Sequence, residues 1–184
     1  MNKYLREVLT KWIPFAVVIT LLCGVIFVSV QQNYRMSAND PQIQLTEDVT
    51  NAILQGQSPK AFIPTRKLDL SKTLATFIIL YDGKGKIIGS SVALDGKDPI
   101  VPQGVLDSAK TKGQSRITWQ PKNGVREALV VNYYKGPQEG YVAIGRSLRE
   151  VEIREENLQL MVFSGWLITL FASFLSIYLI NRIK

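Results

Sequence analysis

Two stretches of this chain carry no charge: residues 13–30, which are 18 long, and residues 160–180, which are 21 long. At about 1.5 Å of rise per residue they make helices of about 27 and 31 Å, close to the roughly 30 Å hydrocarbon core of a bilayer. A charge at mid-bilayer costs several kcal/mol, which accounts for the absence of Lys, Arg, Asp and Glu from both. A buried helix of a soluble protein rarely needs so long an apolar run and carries a polar stripe, which neither stretch has. The basic start of the first run (Lys3, Arg6, Lys11) also suits a secretory signal. Its apolar run is longer than the roughly 7–15 residues of a signal core, and the exit VSVQQNYR offers no small-x-small cleavage site. The sequence therefore predicts an uncleaved anchor and a second span.

Flanking cations set the expected orientation. Lys3, Arg6 and Lys11 stand against Glu7 before the first span, and Arg182 and Lys184 follow the second with no acid. Both ends are assigned to the cytoplasm by the positive-inside rule. The expected organisation is a tail at 1–12, a transmembrane helix at 13–30, an extracytoplasmic domain at 31–159, a second transmembrane helix at 160–180, and a tail at 181–184. The place of such a chain is the cell membrane, crossed twice.

The formal charge of +7 follows this division. The tails hold five cations and one acid, and the central region 17 cations and 14 acids, so most of the excess is a topology signal. The central cations are scattered without aromatic interleaving, and no nucleic-acid partner is expected. Cys23 lies in the first span and there is no His. The central domain therefore has no internal disulfide, no imidazole or thiolate metal site and no His-based triad. No metal, cofactor or enzymatic activity is expected; Asp95 and Asp98 lie in a polar loop, and no Ser or Lys is paired with a base.

Between the spans, Asn39, Asp40 and Pro41 suit a helix start, with Ile43, Thr46, Val49, Thr50 and Ile53 at helical spacing and Gly56 at the end. Residues 57–76 read as a connector. FIILYD (77–82) and KIIGSSVAL (86–94) flank Gly83-Lys84-Gly85 as a hairpin, and residues 102–112 as a short helix. Strands at 116–119, 125–134 and 141–145 follow, joined by the turns QPKNG and GPQEG. Ser147 with Glu150 fits a capping box, and no Gly or Pro interrupts the helix from Leu148 until Gly165. The fold class is α+β, an antiparallel sheet of about five strands with a long N-terminal helix and helices on one side. YDGKGK lacks the phosphate-loop pattern and leads into a strand, so it is a turn; RSLREVEIREEN reads as a solvated helix with (i, i+4) pairs.

FIILYDGKGKIIGSS, PQGVLDSAKTKG, RITWQPKNGVREALVVNYY and YVAIGRSLREVE, in this order and between two spans, resemble the single-Cache (PAS-like) extracytoplasmic sensor domains of bacterial receptors and histidine kinases. The segments cover about residues 77–152, and the flanking helices extend the likeness to nearly the whole chain. The resemblance implies a small-molecule pocket on one sheet face, or a fold kept without a ligand, and signalling through the membrane helices. It points to Trp119, Arg126, Tyr133, Tyr134 and Tyr141 as ligand contacts. The bland alternative is that they pack the sheet or sit on its wet face. Strand parity puts Arg126 and Tyr134 on one face and Tyr133 on the other, so all five cannot line one pocket. The chain departs from the family in having four residues after the second span, with no kinase, cyclase or methyl-accepting domain. The expected function is therefore a membrane-anchored sensor module without its own output domain. The alternative is an accessory or scaffold protein that uses the domain for docking. Expected partners are the lipid bilayer, a small ligand, a partner membrane protein or kinase, and, on the family pattern, a second copy packed through the N-terminal helix.

Overall fold

The computed structural model describes residues 3–136 and 138–183. They fall into two compact units. One is the globular segment Met36–Glu150, and the other combines residues 1–35 with residues 151–184.

The second unit is a helical pair. Helix α1 (Lys3–Ser37) and the later helix α4 (Arg149–Ile183) contribute its two members. Each contains a segment long and apolar enough to cross a membrane, and none of either apolar window is buried in protein. The two run antiparallel and touch at polar points along their length. The Tyr4 hydroxyl donates to the Tyr178 carbonyl (2.9 Å), Trp12 Nε1 to Ser173 Oγ (2.9 Å), and Trp166 Nε1 to Thr20 Oγ1 (2.9 Å). Arg35 pairs with Glu155 at 3.2 Å. Such side-chain bonds hold helices together in lipid, where apolar burial gives no preference for a neighbouring helix over a lipid tail.

The globular unit begins with α2 (Asp40–Leu54). Asn39 precedes it but makes no side-chain cap, and Pro41 occupies its first turn. At its far end Gly56 takes φ +98°, which lets the amides of Gly56 and Gln57 turn back onto the carbonyls of Ile53 and Ala52. A 3-10 turn (Pro59–Phe62) and strand β1 (Leu68–Asp69) follow. Then come β2 (Phe77–Asp82), β3 (Ile87–Ser90), β4 (Val92–Ala93), α3 (Gln103–Lys112), β5 (Gln114–Lys122), β6 (Val125–Tyr134) and β7 (Gly140–Ser147). Five strands form one antiparallel sheet in the order β3-β2-β7-β6-β5.

Two details differ from the sequence reading. The segment 86–94 is two strands: after Ser90 the chain leaves the sheet, and β4 pairs in parallel with β1. The connector therefore contains a short strand, anchored by Leu68 N–H on the Ser91 carbonyl. The second difference is that helices cover both faces of the sheet. Phe77, Ile79, Tyr81, Tyr141, Ala143, Leu129, Val131 and Trp119 pack with Leu106 and Ala109 of α3. Their sequence neighbours Ile78, Leu80, Val142, Ile144 and Tyr134 pack with Val49 and Ile53 of α2. Strands buried on both sides lose their polar alternation, which is why FIILY and ALVV are continuous apolar runs.

The hairpin at Asp82 is a turn and no phosphate cradle. Asp82 Oδ1 accepts from the amides of Lys84 and Lys86 (2.9 and 2.8 Å), and Gly85 takes φ +79°. The face that α2 lays on β6 and β7 is partly polar: Gln42, Thr46 and Thr50 are buried along with Val49. The Thr46 hydroxyl bonds back to the Gln42 carbonyl, while both amide atoms of Gln42 and the Thr50 hydroxyl have no protein partner.

Candidate functional site

Three of the five expected contact residues pack on the α3 face of the sheet. On the α3 side, Trp119 is 4% exposed and lies against Phe77 with ring centroids 6.4 Å apart. Tyr141 is 2% exposed, and its ring meets that of Tyr133 at 5.3 Å. Tyr133 is half-buried. Its hydroxyl donates to Glu139, and Lys110 Nζ stands 5.3 Å from its ring centroid and 3.7 Å from Glu139. The bond to Glu139, with partial desolvation, holds the Tyr133 phenol up at about 12 and draws the Glu139 carboxyl below its ordinary range.

Parity divides the five candidate contacts as the alternation of a strand requires. Trp119, Tyr133 and Tyr141 belong to the α3 face, and Tyr134 to the α2 face. Arg126 shares the parity of Tyr134 but lies eight residues away on β6, about 26 Å along the strand, and is exposed.

An open cleft does exist, on the α2 face at the end of the sheet remote from the start of α2. It has a volume of about 290 Å³ and is lined by Ile53, Leu54, Gly56, Gln57, Ser58, Pro59, Tyr134, Gly136 and Gln138. One wall is the last turn of α2 and the reversal that ends it. The other is the end of β6 and the turn into β7. The Tyr134 ring is admitted because position 140 is glycine: a Cβ there would lie 2.4 Å from the Tyr81 carbonyl oxygen and 2.5 Å from the Tyr134 hydroxyl. Burial, with the Asp82 carboxylate nearby, raises the Tyr134 phenol above its ordinary value. Its polar rim is made of neutral groups, from Gln57, Ser58 and Gln138.

The volume sits at the small end of ligand pockets, and apolar walls with a few neutral hydrogen-bonding groups suit a small uncharged molecule. Of the five sequence candidates only Tyr134 lines it. Gln57, Ser58 and Pro59 lie in the stretch read as connector, and Gly136 and Gln138 in the GPQEG turn. The one sequence signal at the place was the density of turn residues in both segments. Asp95 and Asp98 are on the surface and paired, with Lys122 (2.8 Å) and Lys67 respectively.

No family model matches the chain, and no curated protein matches it either.

Proposed function

We propose that this chain is a membrane-anchored sensor module. Its globular unit lies outside the membrane, with both tails in the cytoplasm, and takes a small neutral ligand in the cleft at the end of α2. The fold class, with a five-stranded antiparallel sheet, is the one expected of a Cache-like domain. The observation that carries the reading is α4. It begins two residues after β7 and continues without interruption to Ile183, so one helix contains both the exit from the sheet and the second apolar segment. A helix transmits translation and rotation along its axis, because each residue is held by bonds to the turns before and after it. Ligand held between α2 and the β6–β7 turn would bias the position of β7, and with it the root of α4. The receiver of that bias is a partner membrane protein.

Two measurements on the full chain in lipid nanodiscs and cells test this. In a Cys23→Ser background, Ile100→Cys is labelled in intact cells by a membrane-impermeant maleimide, and Lys3→Cys is labelled only after lysis. Labelling of position 3 from outside overturns the orientation. A thermal-shift screen of small neutral metabolites then finds a ligand whose stabilisation disappears in Ser58→Trp, which fills the cleft. Failure across metabolite classes, with a single protein recovered by crosslinking in native membranes, favours use of the domain as a docking surface.

A further inference from the structure

Glu127 is the most anomalous side chain of the globular unit. It is 1% exposed, on β6 between the buried Val125 and Leu129 of the same parity, and its Oε2 has no hydrogen-bond partner. In register it sits between Trp119 of β5 and Ser147 of β7. Burying a carboxylate with an unbonded oxygen is costly, so an acid buried in this way is one that prefers to keep its proton. Its position gives that preference a consequence. The next residue towards the start of β6 is Arg126, whose carbonyl accepts the Leu148 amide (2.9 Å), the last sheet bond before α4. The first residue of α4 is Arg149, the charge that acts on Glu127. Arg149 is meanwhile tied elsewhere: its guanidinium donates to the Lys72 carbonyl at 3.3 Å and its amide to Ser147 Oγ at 3.3 Å.

We propose that Glu127 is a proton-operated latch at the root of α4. With its proton, it packs as a neutral group among Trp119 and its neighbours and leaves Arg149 on the Lys72 carbonyl. Without it, the carboxylate needs a counter-charge or water. The counter-charge within reach is Arg149, and recruiting it breaks the bond to Lys72 and disturbs the first turn of α4. Admission of water instead loosens the β6–β7 edge at Ser147. Either route changes the helix root in the same direction, from held to released, as the medium outside becomes more alkaline. From the other elements packed there, β5 presents Trp119 and β7 presents Ser147, neither of which titrates in this range. Burial pushes the Glu127 carboxyl up to about 8, against the lowering influence of Arg149, so the change falls within an ordinary environmental range. This inference does not rest on the ligand cleft.

The test uses the full chain in lipid nanodiscs with Trp12→Phe and Trp166→Phe, which leaves Trp119 as the sole indole. Its emission is titrated from pH 5.5 to 9.5, with backbone hydrogen exchange of residues 145–153 followed over the same range and corrected for intrinsic rates. The expected result is one transition near pH 8 in both signals, with at least a tenfold loss of protection. Glu127→Gln, which mimics the protonated form, abolishes it. Arg149→Gln moves the midpoint to higher pH, because the ionised form loses its counter-charge. A transition that survives in Glu127→Gln overturns the proposal. So does a fluorescence transition with unchanged exchange, or no transition in the parent chain.

Discussion

Replacing Trp119 by Ala discriminates between a packed face and a ligand face. The indole is 4% exposed, tilted at 50° against Phe77, and enclosed with Leu129, Val131 and the α3 residues Leu106 and Ala109. Truncating a buried Trp to Ala costs about 3–5 kcal/mol in transfer and cavity terms. The lost contact with Phe77 accounts for roughly 0.5–1.5 kcal/mol of that. For a unit of 115 residues, Met36–Glu150, each kcal/mol moves the midpoint by about 4 °C, so Trp119→Ala lowers the thermal midpoint by about 12–20 °C. Trp119→Phe keeps most of the ring volume and loses less than half as much. The assay is thermal unfolding of the full chain in detergent, followed by near-ultraviolet circular dichroism, which reports the globular unit's aromatic packing. A drop below about 4 °C in Trp119→Ala would refute the reasoning: the ring would then be held loosely enough to serve a ligand, and the face would be a closed pocket.

Four more predictions follow from the same geometry. Glu127→Gln removes the penalty of ionising a buried carboxyl; because that carboxyl titrates near 8 in the fold against an ordinary 4.5, parent stability falls as pH rises between those values, at up to about 1.4 kcal/mol per pH unit. The variant's advantage by pH 8 therefore has an upper bound of about 5 kcal/mol, about half that where water reaches the charge, and denaturant melts at pH 5 and 8.5 that shift in parallel contradict it. Gly140→Ala drives a Cβ into the Tyr81 carbonyl and the Tyr134 ring, so it destabilises by at least about 2 kcal/mol, while Gly124→Ala, strained by φ +78° but meeting open space, costs about 1 kcal/mol by the same melt. Tyr133→Phe removes only a surface bond to Glu139 and changes stability by less than about 1 kcal/mol, but the spectroscopic tyrosine titration loses one of its two components near 12, the buried Tyr81 supplying the other. Thr20→Val removes the acceptor of the Trp166 indole, and a blue shift of Trp166 emission in a chain lacking the other two tryptophans checks that bond in lipid.

Some of this was readable because it depends on short-range pattern. The charge-free runs, the Asp82 hairpin, the short helix before β5 and the opposite faces of Tyr133 and Tyr134 all follow from periodicity or turn chemistry. The doubly covered sheet was also implicit in the unbroken apolar run of FIIL, which a one-sided sheet does not need. What was hidden depends on tertiary partners. Nothing local makes Leu68 and Asp69 a strand; they become one because Ser91 and Ala93 arrive beside them. The cleft escaped for a related reason. Its walls are the end of α2 and a turn from 80 residues later in the chain, and its polar groups are neutral amides and a hydroxyl, residue types that surface loops carry everywhere. Arg126, Trp119 and the tyrosines drew attention by chemistry; parity divides them between the two faces, and of the five Tyr134 lines the cleft. The cap expected of Asn39 failed because its backbone is already helical, at φ −96° and ψ −18°, which leaves its side chain out of reach of the next turn's amides.

The polar underside of α2 has a consequence for the order in which the domain comes apart. Gln42, Thr46 and Thr50 occupy places that Leu or Val would fill in a maximally adhesive helix, and the Gln42 amide gains no bond in return. Native-state exchange should therefore show α2 opening ahead of β6 and β7, whose amides are locked inside the sheet. Gln42→Met would raise the melting point and close that gap in the ranking. A chain improved in this way would be sturdier, and its α2 would be harder to lift from the sheet.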